Sequence, residues 1–165
     1  MIWLLLYIAC IPAANWAIST FGLIPVGFGL MAPAGVLFAG LALTLRDLTH
    51  DALGRWAVLA AIVVGAALSL LVSPPGIAAA SAIAFLFSEL ADFGVYSPLR
   101  RRGLLVAVAA SNIVGAVVDS ALFLWLAFGS LEFLAGQLVA KFTMTALAIL
   151  VLWAVRRRAS VTVTA

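Results

Sequence analysis

Two carboxylates lie close together in a stretch that is otherwise apolar or small, IAFLFSELADFGVY at residues 83–96. They are Glu89 and Asp92, which would share one face of a helix because residues three apart are neighbours there. Ionised groups are costly away from water, and two acids this close repel, so at least one should have a cationic or hydrogen-bonding partner. Both can accept hydrogen bonds, either from such a partner or from a polar ligand.

The composition indicates the environment in which these acids lie. The chain has 165 residues, of which 67% are hydrophobic and 9% are charged, whereas about a quarter of the residues in a soluble domain are charged. So little polar surface predicts an integral membrane protein. The single cysteine, Cys10, cannot form an intrachain disulfide and is interpreted as a small core residue.

Apolar stretches long enough to cross a bilayer, which takes about 20 helical residues, occur six times. Turn residues or charges separate them, as in FGLIPVGFG, SPPG and SPLRRRG. The sequence therefore predicts an all-α membrane protein, a six-transmembrane-helix bundle with short loops that forms a single domain over residues 1–165. The predicted spans are 2–20, 30–48, 56–73, 77–97, 104–128 and 132–155.

Basic residues predict the orientation of this bundle. Eight of the nine lie beside the same alternate connections, namely Arg46, Arg55, Arg100, Arg101, Arg102, Arg156, Arg157 and Arg158. Because Lys and Arg are enriched in cytoplasmic loops, both termini should be cytoplasmic. These clusters are interpreted as topology signals that contact lipid headgroups rather than as a nucleic-acid interface.

The ninth basic residue, Lys141, lies inside the last predicted span. Lys141 and Asp119 are each about nine residues from the outer end of their spans, which places both about 14 Å deep at 1.5 Å per residue. Consecutive spans are expected to be neighbours, so an Asp119–Lys141 ion pair is predicted. It can be a structural pair that holds the bundle together or part of a substrate or coupling site, and the sequence leaves both interpretations open.

The fifth span, ASNIVGAVVDSALFLWLAF, carries a small and polar stripe. Its members recur every four residues or lie beside that row: Ser111, Asn112, Gly115, Asp119, Phe123 and Trp125. A carboxylate, a glycine that permits close approach and aromatic rings would together suit a flat polar ring. The alternative is a helix-packing stripe with Phe123 facing lipid.

The end of the second span, TLRDLTHDALGR, gathers titratable residues on one helical face. Asp47, His50 and Asp51 fall at positions i, i+3 and i+4, directly after Arg46. Such a group is weak evidence for a metal, so no metal or other cofactor is predicted, and a salt-bridged helix end or cytoplasmic gate is favoured. Asn15, late in the first span, is one further buried polar candidate.

The sequence shows no enzyme signature. It lacks a Gly-rich phosphate loop, a paired Cys/His ligand set and a serine nucleophile in a recognisable elbow. The chain is therefore interpreted as a protein that is not an enzyme and that cannot by itself hydrolyse ATP.

Several stretches together resemble the queuosine precursor transporter family, also called the vitamin uptake transporter family. The similarity runs from AANW near residue 15 to the end of the last span and is carried by RDLTHDALG, SELADFGVYSPLRRR, ASNIVGAVVDSALFLWLAF and AKF. The matching positions are Asn15, Asp47, Asp51, Gly54, Glu89, Asp92, Arg100, Ser111, Gly115, Asp119, Ser120, Phe123 and Lys141. The chain departs from the family in being shorter than typical members and in having Ala116 where relatives can have Asn or Gln.

The resemblance implies a six-span protein of the bacterial inner membrane that imports a queuosine precursor, a deazaguanine-type base, into the cytoplasm. A site between the fourth, fifth and sixth spans would then bind the base. Glu89, Asp92 or Asp119 would accept its hydrogen bonds, with Ser111 and Asn112 adding others. Stacking candidates are Phe85, Phe123 and Trp125. Lys141 would balance the buried acids, and the gate would comprise Arg46, Asp47, His50 and Asp51.

Two other classes of protein remain open at this point. One is the vitamin-binding membrane subunit of an energy-coupling-factor importer, which needs a separate ATPase. The other is a non-transport membrane protein, either a scaffold or a membrane enzyme. The expected partners are the lipid bilayer and a small-molecule substrate, with no nucleic acid, and a homo-oligomer is left open.

Overall fold

The fold is a helical bundle with one short β-hairpin. The structure is a computed structural model that describes residues 1–99, 101 and 104–162. Within this part of the chain the helices are α1 (Ile2–Phe21), α2 (Val36–Leu53), α3 (Arg55–Ser69), α4 (Pro75–Leu99), α5 (Leu104–Phe128) and α6 (Leu134–Thr162). The antiparallel strands β1 (Leu23–Gly27) and β2 (Leu30–Pro33) connect α1 to α2.

Helix length and composition indicate a membrane protein. The described residues include three helical stretches that are long and apolar enough to cross a membrane, Ile2–Phe21, Pro75–Tyr96 and Ala110–Phe128. Arg55–Ser69 and Leu134–Ala148 are apolar but shorter. The prediction of six spans with cytoplasmic termini stays a prediction, and Arg100 and Arg102, on which it partly rests, lie outside the described residues.

The β-hairpin corrects the all-α prediction and the predicted start of the second span. Residues Leu30–Pro33 do not begin a helix but pair with Leu23–Gly27, and α2 starts only at Val36. Pro33 disfavours helix in this segment because proline lacks the N–H that a helix interior needs and disfavours helical backbone angles at the preceding residue. The turn at the tip has positive φ at Gly27, Phe28 and Gly29, and glycine adopts such angles without strain.

The helices fall into two groups by their packing. The first, the α4–α5 pair, consists of two antiparallel helices that contact each other more extensively than any other two elements. The second, the four-helix group, joins α1 to α2 and α3, and α2 to α6. Contacts between the two groups are fewer, and they involve mainly α3 with α4 and α5 with α6. Among the described residues, the two groups therefore contact each other less extensively than the α4–α5 pair or the α1, α2 and α6 helices contact one another.

Glycines allow the closest approaches within the four-helix group and its hairpin. A Cβ at Gly40 of α2 would stand 2.7 Å from the Cβ of Met144 and 3.0 Å from the Cα of Lys141, both in α6. At Gly136 of α6, the carbonyl oxygen of Met31 in β2 occupies the place of a Cβ. Small residues commonly bring membrane helices together in this way. Helix α6 is thus fixed against both α2 and the hairpin.

Gly136→Ala should destabilise the protein, whereas the same change at Gly94 in α4 should not. The new methyl group at residue 136 would collide with the Met31 backbone, and overpacking of this kind costs about 1–3 kcal/mol. A Cβ at Gly94 meets no atom within 4 Å, and alanine favours helix over glycine by about 1 kcal/mol. Thermal unfolding in detergent should show a lower Tm for Gly136→Ala only. Equal Tm values for the two variants would contradict the packing described here.

Candidate functional site

Two ionic clusters lie at the interface between the α4–α5 pair and the four-helix group. The four-helix group supplies the cations, Arg46 from α2 and Lys141 from α6. The α4–α5 pair supplies the facing carboxylates, Glu89 and Asp92 from α4 and Asp119 from α5. Charges in a membrane bundle usually face its interior and pair in this manner. Both groups are therefore tied together by charge where their apolar packing is sparse.

The Arg46 cluster consists of Arg46, Asp47, Glu89, Asp92 and Asn112. Arg46 is buried, and its Nη2 donates to Asp47 Oδ1 at 2.8 Å and to Asn112 Oδ1 at 2.8 Å. Arg46 Nη1 lies 3.3 Å from Glu89 Oε2, and Nη2 lies 3.5 Å from Asp92 Oδ1. The planar guanidinium can reach four partners because its donors point in several directions. One cation thus links α2 to both helices of the α4–α5 pair.

Arg46 is the cationic partner of the adjacent acids Glu89 and Asp92. The sequence predicted that Lys141 would balance the buried acids and that Arg46 would belong to a gate, and these roles stay predictions. In the structure Arg46 contacts both acids, whose side chains are each 16% exposed. Glu89 and Asp92 thus have the cationic partner that their burial requires, and this partner comes from α2 rather than from α6.

The Lys141 cluster consists of Lys141, Asp119 and Ser120. Lys141 is 1% exposed, and its Nζ donates to Asp119 Oδ2 and, at 2.7 Å, to Ser120 Oγ. Ser120 is also fully buried. The contact predicted between Asp119 and Lys141 is therefore present. A buried ammonium needs such partners because an uncompensated charge in this environment is strongly destabilising.

The two clusters are separated by two helical turns. On α5, Asn112 belongs to the Arg46 cluster and Asp119 to the Lys141 cluster, so the clusters lie about 10 Å apart at 1.5 Å per residue. The same face of α4 carries Ser81 and Phe85 before it reaches Glu89. The bundle interface thus has two polar levels with aromatic and small residues between them.

A cavity opens beside the Lys141 cluster. Its volume is about 30 Å³, counted as the space open to the centres of water molecules, where one water needs at least about 10–15 Å³. All helices except α3 contribute to its wall, which is formed by Ala14, Asn15, Gly35, Val36, Ala39, Ser81, Phe85, Asp119, Phe123, Gln137 and Lys141. In this conformation the main cavity can hold a few waters.

A smaller cavity of about 10 Å³ lies beside the Arg46 cluster. Its wall is formed by Tyr7, Ala42, Leu43, Arg46, Phe85, Ser88 and Glu89. Phe85 lines both cavities and is itself 8% exposed. Phe85 is therefore the residue shared by the main cavity, beside the Lys141 cluster, and the smaller cavity, beside the Arg46 cluster.

The structure brings together only part of the site predicted from the sequence. Phe85, Phe123, Asp119 and Lys141 line the main cavity. Glu89 lines the smaller cavity, while Asp92 and Asn112 contact Arg46, and Ser111 is buried beside Asn112 on α5.

Trp125 does not join the main cavity. It is 61% exposed and lines neither cavity. Two residues beyond Phe123, its side chain is turned by about 200° around the helix. The stacking role predicted for Trp125 therefore has no support in this arrangement.

The predicted gate residues separate in a similar way. Asp47 accepts hydrogen bonds from Arg46, whereas His50 and Asp51 are exposed at the end of α2. Among the residues that the structure describes, no three His, Cys, Asp or Glu side chains are grouped to hold a metal ion. Nearby, the Arg55 guanidinium lies 5.7 Å from the ring centroid of Phe93 and so connects α3 to α4.

Two polar residues of the main cavity were not assigned to the predicted binding site. Asn15, noted from the sequence as a buried candidate, is 1% exposed and lines the cavity. Gln137 was not predicted. It is 2% exposed, lines the cavity and lies four residues before Lys141 on the same face of α6. That spacing was the available signal.

Fold and site together describe a helical membrane protein with a cavity, lined by both apolar and polar side chains, between two groups of helices. A comparison with protein-family models matched residues 69–155 to the family described as "Putative vitamin uptake transporter". This match spans more than half of the chain, and the protein belongs to that family of membrane transporters. No curated protein and no solved structure matched the chain.

The matched range contains the whole of the α4–α5 pair and α6 as far as residue 155. It includes Glu89 and Asp92, as well as Asp119 and Lys141. Arg46 and Asn15, which complete the two polar levels from α2 and α1, lie before it. The family match therefore covers the carboxylate side of the interface and one of its two cations.

Removing both charges of the Lys141–Asp119 pair should destabilise the protein less than removing either one. Lys141→Met leaves the Asp119 carboxylate buried without its cation, and Asp119→Asn leaves the ammonium without its anion. Each single change should cost about 3–5 kcal/mol, much of which the double variant recovers. A double-mutant cycle from unfolding in detergent measures this coupling. Simple addition of the two losses would show that the residues do not act as a pair.

Proposed function

We propose that this protein is a transporter of the bacterial inner membrane that imports a queuosine precursor, a deazaguanine-type base, into the cytoplasm. The observation that carries the proposal is the main cavity, in which an ion pair, uncharged polar groups and two phenylalanine rings meet inside a membrane protein. Membership in a family of uptake transporters and the resemblance of its motifs to queuosine precursor transporters support this substrate class.

The chemistry of the cavity wall suits a flat base with hydrogen-bond donors. Asp119 uses Oδ2 to accept from Lys141, and Oδ1 has a second set of lone pairs that can accept from a ring N–H. The rings of Phe85 and Phe123, from α4 and α5, can cover the faces of a planar ligand. Lys141 keeps the carboxylate compensated while the ligand is absent.

Transport requires the cavity to widen, because about 30 Å³ is room for a few waters and not for a bicyclic base. The sparse interface between the α4–α5 pair and the four-helix group is the place where separation costs least packing. In our proposal the two groups move relative to each other. The Lys141 cluster then opens towards one side of the membrane and the Arg46 cluster towards the other, with the base held between them.

The decisive experiment is uptake in cells. The chain is expressed in a bacterium that can neither make queuosine nor import its precursors, one precursor is fed at a time, and tRNA is assayed for the modified base. Asp119→Asn should lower the modification rate by about tenfold or more, since hydrogen bonds to charged groups are worth about 1.5–3 kcal/mol. Lys141→Ala should lower it by a similar factor, because it leaves the Asp119 carboxylate without its counter-ion. Thr143→Val, at an exposed position of α6, is the matched control.

The possible results separate the candidate functions. Absence of modification with every precursor, despite expression in the membrane, would rule out the proposed substrate. Wild-type uptake by well-expressed Asp119→Asn and Lys141→Ala would rule out the cavity as the site. Uptake that depends on a copurifying ATPase would identify the chain as a substrate-binding subunit.

The proposed function assumes a topology of six spans with both termini in the cytoplasm. Cysteine labelling tests this topology. In a Cys10→Ala background, Phe28→Cys places a thiol at the hairpin tip, where the native side chain is 93% exposed, and Ala52→Cys places one at the exposed end of α2. A membrane-impermeant maleimide added to intact cells should label residue 28 only. Labelling of residue 52 should need permeabilised cells, and the opposite pattern would reverse the orientation.

A further inference from the structure

Two buried amide side chains line the main cavity, and one of them carries a nitrogen without a hydrogen-bond partner among the described residues. Asn15 of α1 is 1% exposed, and its Nδ2 has no hydrogen-bond partner in the described part of the chain. Gln137 of α6 is 2% exposed and lines the same cavity. The charged members of the wall differ from Asn15, because Lys141 donates to both Asp119 and Ser120.

The unpaired amide nitrogen of Asn15 is unusual for a buried polar group. Buried polar groups are nearly always paired, and an unpaired one calls for an explanation. Here Ser69 and Ser88 donate to carbonyl oxygens of their own helices. Thr44 and Thr49 also lack partners among the described residues, but neither lines the main cavity. Asn15 and Gln137 are thus distinguished by facing open space.

The formal charge of the cavity wall restricts what can bind there. Lys141 and Asp119 compensate each other, and the other residues of the wall carry no charge. A charged ligand would be buried without a counter-ion, at a large desolvation cost. An uncharged ligand that pairs with the amides would meet no such cost.

We propose that Asn15 and Gln137 determine the specificity of the cavity by binding the edge of an uncharged planar ring that presents a donor and an acceptor side by side. A carboxamide offers a carbonyl acceptor next to an N–H donor, which complements a ring N–H next to a ring carbonyl. The amides come from the four-helix group, whereas Phe85 and Phe123 come from the α4–α5 pair. The four-helix group would therefore bind the edge of the ring, and the α4–α5 pair would contact its faces. This inference rests on the proposed function and adds the residues that select the substrate.

Binding to the purified full-length protein in detergent tests the inference without requiring transport. The probe is tritiated 7-deazaguanine, and the competitors are unlabelled 7-deazaguanine, its N1-methyl derivative and orotate. The N1-methyl derivative lacks the ring donor, and orotate is a planar anion with a donor–acceptor edge. Gln137→Leu and Asn15→Leu should each raise the Kd by about tenfold. Both should also weaken the preference for 7-deazaguanine over its methylated form, and orotate should not compete.

Control variants keep folding separate from recognition. Thr143→Val on the exposed face of α6 should leave Kd and Tm unchanged. If a leucine variant fails to fold, Gln137→Glu and Asn15→Asp keep the side-chain size but replace the amide donor with an acceptor, and they should lower affinity at least as much. Folded variants with wild-type Kd and wild-type preference would overturn the role of the amides, and competition by orotate would overturn the requirement for a neutral ligand. Absence of 7-deazaguanine binding to the wild type would instead overturn the proposed function, and this inference with it.

Discussion

The burial of two cations at one helix–helix interface is the constraint on which the rest of the structure depends. Arg46 and Lys141 are almost completely enclosed, and each needs carboxylates within reach because an unpaired charge in such surroundings is prohibitively costly. Apart from Asp47, which neighbours Arg46 on α2, their carboxylate partners are on α4 and α5, so the helices must be placed to bring Glu89, Asp92 and Asp119 to the same interface. Apolar packing alone would not specify this arrangement, since lipid is as apolar as a leucine side chain.

The same constraint bears on the movement that our proposed transport function requires. An ion pair in a dry interface loses its compensation when its members separate, unless water enters to hydrate them. Each cluster can therefore separate at low cost only when it opens towards an aqueous side. The two clusters are about 10 Å apart along α5, with Phe85 lining the cavities at both levels. Simultaneous opening of both would hydrate the whole path, whereas opening of one leaves the other closed.

The sequence predicted the features that depend on depth and composition, and it failed where distant elements meet. Lys141 and Asp119 could be paired because they lie at similar depths in consecutive helices, and the need of Glu89 and Asp92 for a cation followed from desolvation. Their partner Arg46 could not be identified, because the packing of α2 near α4 and α5 is not encoded in local periodicity. The strand Leu30–Pro33 was read as helix because a short apolar run fits both states. Gln137 could have been found from its spacing to Lys141. Trp125 was included because it is close to Phe123 in sequence, but two residues along a helix turn a side chain by about 200°.

The packing around α6 indicates where the helix bundle is held together most weakly. Helix α6 is held against α2 at Gly40, where Thr145 Oγ1 also donates to the Gly40 carbonyl oxygen at 3.3 Å, and it is held against β2 at Gly136. Its contacts with α5 are sparse, and the Lys141–Asp119 pair is the strongest of them among the described residues. Separation is therefore cheaper between α5 and α6 than between α6 and α2. A ligand that pairs with Gln137 on α6 and stacks on Phe123 of α5 would act across that weak contact, so its binding energy would be applied where the two groups of helices are most easily displaced.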